Sequence, residues 1–269
     1  MNAALGAWKN APLAYVLAEV RTEQVADLAD HQAALATIFR SEYPIQRNLH
    51  SAKFIATNSG IASVEQSDET AWEFATPDNS TALIFRRNGL VLHATKYTSS
   101  VEFLARLHRA VKTLVAEIPN IFVNQFGLRY VDFVLPDSGE TPDDYVDIRL
   151  NPTIGDNGNS PLMAMSLAIY PFDNGGMLSL RYLRAKGQPE LPPDLTTFAL
   201  EKSVLMKKEG LSAEQPTAII DTDVIRPFPT RKLLDPDSLL GEFKEMRAME
   251  AEYFSKIITK HARSKWGAT

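Results

Sequence analysis

Val123–Leu135, VNQFGLRYVDFVL, is the stretch whose reading decides the fold. Taken two residues at a time, one face carries Asn124, Phe126, Leu128, Tyr130, Asp132 and Val134. The other carries Val123, Gln125, Gly127, Arg129, Val131 and Phe133. Neither face is wholly polar, so the pattern predicts a strand inside a sheet, covered on both sides, rather than a solvated edge.

Upstream, Pro12–Arg21 alternates in the same way, with Ala14, Val16, Ala18 and Val20 on one face and Tyr15, Glu19 and Arg21 on the other. The period then becomes helical from Val25 to Phe39 and ends before Pro44. Ile61–Gln66 and Ala71–Thr76 read as short strands, the second holding Trp72 and Phe74. Thr81–Arg87 and Leu90–Tyr97 flank Asn88-Gly89, a pair that favours a hairpin turn with positive φ. Ser99 and Glu102 have capping-box spacing before a helical stripe that stops ahead of Pro119.

Downstream of the opening stretch, Thr141–Leu150 offers a short helix, and NPTIGDNGNSP (151–161) has loop composition. Leu162–Tyr170 and Met177–Arg184 read as a hairpin, Leu195–Lys208 as an inserted helix, and Ala218–Arg226 as a strand. Asp235 suits an N-cap and Pro236 the first helical turn. The apolar stripe from Leu239 to His261 predicts one helix running on to Trp266, with Gly267 as its stop. At about 1.5 Å per residue such a helix spans ~45 Å.

Both halves thus give strand, helix, antiparallel strands, helix. The expected class is α+β: a duplicated unit, with a saddle-shaped sheet like that of the TATA-binding protein and a long C-terminal helix. Residues 1–120 form the first repeat and 121–269 the second, with an insertion near 190–210, in one compact body. Three segments, NAPLAYVLAEVR, FGLRYVDFV and EYFSKIITKHARSKWG, together with the strand IIDTDV (Ile219–Val224), resemble a sporadically distributed family of uncharacterised bacterial proteins. The resemblance spans nearly the whole chain, apart from the insertion. It implies no particular activity, cofactor or catalytic residue.

Composition narrows the function classes. The formal net charge of -5 disfavours non-specific nucleic-acid binding. The absence of cysteine removes disulfides, thiolate nucleophiles and Cys-rich zinc sites. No apolar run reaches the roughly 20 residues of a membrane span, and the N-terminus has no signal-peptide pattern, so a cytoplasmic protein is expected.

The sharpest polar signal is Asp221-Thr222-Asp223 inside an apolar strand, where both carboxylates project from the same face. Such a pair holds a cation, magnesium or calcium, or is neutralised by arginines on neighbouring strands. Arg129 and Arg181 are the candidate partners. With Glu19 and Arg21 they give one sheet face a polar centre able to bind an anion or a peptide. His93, on the hairpin strand, is the histidine placed for acid–base work, whereas His108 and His261 read as helix-surface or packing residues. Nucleotide-binding and hydrolase motifs are missing. The expected function is therefore a non-catalytic binding or accessory module engaging a protein or other macromolecular partner, with a protein partner or self-association expected first. The alternatives are a metal-dependent or anion-binding enzyme using Asp221, Asp223 and Arg129, and nucleic-acid binding through the sheet face.

Overall fold

The structure is a computed structural model, and it describes residues 8–56, 62–150, 163–173, 175–195 and 205–267. Its strands are β1 (Leu13–Thr22), β2 (Ile45–Ala56), β3 (Ala62–Ala75), β4 (Thr81–Arg86) and β5 (Gly89–Ala94), then β6 (Phe122–Val134), β7 (Ala164–Pro171), β8 (Met177–Lys186) and β9 (Pro216–Leu233). All join one antiparallel sheet of order β2-β3-β4-β5-β1-β6-β9-β8-β7. The opening stretch is β6, at the middle of the sheet and flanked by β1 and β9 as its two mixed faces require. In each half the first strand sits centrally, the last strand lies beside it and the second strand lies at the sheet edge.

The helices are α1 (Gln32–Phe39), α2 (Ser100–Glu117), α3 (Pro236–Ile257) and α4 (Lys260–Trp266). They cover one face of the sheet. Val16, Ala18 and Val20 of β1, Phe126 and Leu128 of β6, and Ile220 and Val224 of β9 pack there against Leu107 and Val111 of α2 and Leu239, Phe243 and Met246 of α3. Each of these side chains larger than alanine contributes about 1.5–3 kcal/mol through removal from water. The opposite face holds a smaller apolar cluster, Tyr15, Leu17, Ile84, Val91, Val131, Phe133 and Ile219, under Leu191 and Leu195 of the segment that follows β8. We call it the open face.

Several sequence expectations change. The two strands read at Ile61–Gln66 and Ala71–Thr76 are one long strand, β3, paired with β2, which the sequence reading missed. The turn between β4 and β5 is centred on Arg87 and Asn88, because Arg86 pairs with Gly89. Asn88 does not take positive φ, but Gly89 does, at 149°. There an added Cβ would lie 2.2 Å from the Val20 carbonyl oxygen. Thr141–Leu150 forms two short 3-10 turns, Pro142–Asp144 and Ile148–Leu150. The 151–161 loop lies outside the described residues, as does most of the inserted helix. Of that insertion, Pro193–Leu195 is a 3-10 turn and Leu205–Lys208 is not helical.

The long C-terminal helix is broken. Ile258 is extended (φ -97°, ψ 145°) and bridges to Val146. The Asp147 amide donates to the Ile257 carbonyl, and the Thr259 amide to that of Tyr145. Periodicity runs through the break because Ile257, Ile258 and Ala262 are all buried. What stops the helix is the Tyr145–Asp147 backbone, which takes the hydrogen bonds that continued helix would have used. Thr259 then caps α4, accepting from the Ala262 amide, and Gly267 closes it in the left-handed region. The caps read at Ser99 and Asp235 both form.

Candidate functional site, the charged centre of the open face

Antiparallel register brings the polar positions together in rows across the strands. One row on the open face runs His93 (β5), Leu17 (β1), Arg129 (β6), Asp223 (β9), Ser179 (β8), Ile169 (β7). The next runs Val131, Asp221, Arg181, Leu167. On the other side lie Glu19, Gly127, Ile225 and Met177. The sequence reading therefore placed Arg129, Arg181, Asp221, Asp223, Glu19 and Arg21 on one surface, and the structure puts them there.

Arg129 is 5% exposed and is gripped by two carboxylates. Its Nε donates to Asp221 Oδ1 at 2.7 Å and Nη2 to Oδ2 at 2.8 Å, a side-on bidentate pair. Nη1 donates to Asp194 Oδ2 at 2.5 Å and Nη2 to Asp194 Oδ1 at 3.3 Å. Burial works against the guanidinium charge, but the hydrogen bonds to Asp221 and Asp194 outweigh it and raise its pKa. Asp194 was not singled out in the sequence. It lies in the 3-10 turn Pro193–Leu195, and a lone carboxylate in a Pro-rich loop carries no periodic signal.

Arg181 brings Nε to 3.2 Å from Asp221 Oδ2, an ion-pair distance without hydrogen-bond alignment. Glu19 is held by Arg86 Nη2 at 2.5 Å and by Arg21 Nη2 at 3.3 Å. Arg86 is a second residue of this centre that the sequence does not mark, because an Arg-Arg pair (Arg86-Arg87) beside a turn has the character of a solvated surface. Its position on β4, two residues from Ile84, puts it on the open face.

Asp223 differs from its neighbour. It is half-buried, and no described residue donates a hydrogen bond to it. Burial pushes its pKa up to about 6, with Arg129 and Arg181 pulling down and Asp221 and Glu19 pushing up. The two carboxylates of the Asp-Thr-Asp motif thus have opposite fates, one locked to Arg129 and the other left over. Among the described residues, no three His, Asp or Glu side chains converge as metal ligands. Asp221 already gives both its oxygens to Arg129, so the expected magnesium or calcium pair is not assembled.

His93 lies two strands from Arg129, fully buried. Its Nε2 is 3.7 Å from Glu73 Oε1, and its ring is 5.8 Å from that of Tyr15. Glu73 also receives Arg47 Nη1 at 2.8 Å. Burial alone would raise the Glu73 pKa, but His93 and Arg47 bring it below the ordinary value. This set is sealed beneath the sheet's own side chains, so His93 is not positioned to meet a substrate from solvent. His108 and His261 are on helices as expected, His108 beside Asp237 at 3.1 Å and His261 edge-on to Tyr145.

A further buried set lies on the helix face. Arg247 of α3 stacks over the Tyr130 ring at 5.0 Å and pairs with Glu250, which also accepts from Thr222 Oγ1 at 3.3 Å. Asp132 is buried nearby, and burial together with Glu250 raises its pKa well above the carboxylate range. No protein-family model matches the chain, and no curated protein matches it. No described helix is long and apolar enough to cross a membrane.

Proposed function

We propose that this chain is a non-catalytic binding module that engages a protein partner across the open face of its sheet. The observation that carries this reading is the β7–β8 end of that face. There Met165, Leu167, Ile169 and Met177 are 58%, 53%, 55% and 42% exposed, and they border the charged centre. Adjacent apolar side chains on a flat, hydrogen-bonded surface, rimmed by charge, have the composition of an interaction surface. The charged centre itself supports binding over catalysis: Arg129 is saturated by Asp221 and Asp194, and the histidine on that face is enclosed. The strand order, in which each half sets its first strand centrally with its last strand beside it, further supports reading the chain as a duplicated α+β unit.

The test is capture with the full-length tagged chain in its native host, alongside Leu167→Asp. A stoichiometric protein partner retained by the parent chain and lost by the variant, with both equally folded by circular dichroism, is the expected result. Failure to recover one, or capture indifferent to Leu167→Asp, overturns the reading. Self-association through the same face appears instead as a concentration-dependent mass in sedimentation, abolished by the same substitution.

A further inference from the structure

Hydrogen bonding on the open face leaves one carboxylate without a donor. Arg129 is spent on Asp221 and Asp194, and Arg181 leans on Asp221. Arg21 and Arg86 converge on Glu19. Asp223 receives no hydrogen bond from any described residue, although it is flanked on both sides by strands. A half-buried carboxylate without a donor is tolerable while water reaches it, and costly once water is excluded.

The surface around Asp223 has a definite shape. Its cross-strand neighbour on β8 is Ser179, whose cross-strand neighbour on β7 is Ile169. With strands about 4.8 Å apart, Asp223 and Ile169 stand about 10 Å from each other across a small side chain. Arg181 and Leu167 border this depression on one side, Met177 on the other. On the β6 side, Gly127 leaves no side chain between Glu19 and Ile225.

Resting on the reading of this face as a protein-binding surface, we propose that the depression between Ile169 and Asp223 receives a lysine or arginine side chain of the partner, flanked there by an apolar residue. A partner that covers Leu167 and Ile169 also excludes water from Asp223, and so has to bring a donor to it. A basic side chain meets both demands, its aliphatic stem along Ile169 and Ser179 and its charged head at Asp223. An ionised acidic side chain brings no hydrogen-bond donor to Asp223.

A peptide-display library selected against the full-length chain tests this. Enriched peptides are expected to carry Lys or Arg beside an apolar residue. A representative synthetic peptide should lose about tenfold or more in affinity when its basic residue becomes norleucine, a change that leaves the protein untouched, and similarly with Asp223→Asn. Affinity should rise as pH increases through about 6, where Asp223 ionises among Glu19, Arg129, Arg181 and Asp221. Peptides that bind, and are lost with Leu167→Asp, yet show no basic preference and ignore Asp223→Asn overturn this inference and leave the surface reading intact. Selection that yields no peptide, or only peptides indifferent to Leu167→Asp, overturns the surface reading together with the inference.

Discussion

At the scale of single residues, the open face is governed by how buried charges are compensated. Arg129 and Asp221 are both almost fully buried, so removing either partner strands the other. Asp221→Asn or Arg129→Met is expected to cost about 3–5 kcal/mol in urea denaturation. Asp194 holds the same guanidinium from a side chain that is 57% exposed, and Asp194→Asn should cost no more than about 1 kcal/mol. The helix-face acids respond to pH in a defined direction. Asp132 and Glu250 both have pKa values raised by burial, so the folded chain holds protons that the unfolded chain releases. Their contribution to stability is greatest in acid, below the ordinary carboxylate range near ~4, and declines as pH rises through the folded values. Asp132→Asn removes that decline for one of them. Its urea midpoint relative to the parent should therefore improve from pH 5 to pH 8, and a constant or falling difference would show that Asp132 is ionised in the fold.

At the scale of elements, two junctions depend on a single residue each. Gly89 opens β5 with φ 149° and leaves no room for a Cβ against the Val20 carbonyl. Gly89→Ala forces β5 away from β1, and thermal unfolding should register a loss of more than about 1 kcal/mol. Between α3 and α4, Thr259 caps the second helix through its side chain, and its backbone amide donates to Tyr145. Thr259→Ala should cost about 1 kcal/mol. Strand alternation and helix caps were legible in the sequence because they are local: Ser99, Asp235 and Gly267 each act within one turn of chain. The break at Ile258 was not, since the groups that end α3 belong to residues more than a hundred positions away.

At the scale of the whole molecule, one sheet has two differently finished faces. The helix face carries the larger buried core, and Leu128→Ala in its middle should cost about 2–5 kcal/mol. The β7 end of the open face is not packed, and Leu167→Asp there should change stability by no more than about 0.5 kcal/mol, measured by the same denaturation. That contrast separates a surface kept apolar for a partner from one kept apolar for folding.

The sequence by itself determined which residues are strand and helix over most of the chain, and that Asp221 and Asp223 project from the same side of one strand, with Arg129 and Arg181 as candidate partners. Period-two alternation and the Asp-Thr-Asp spacing depend only on neighbouring residues. Tertiary structure alone decided which carboxylate Arg129 takes. It brought Asp194 across from a loop and Arg86 across from β4, and it left Asp223 without a donor. The physical reason is that ion pairing in a sheet is settled by register between strands and by what folds over them, and both are fixed by long-range packing rather than by the local run of side chains.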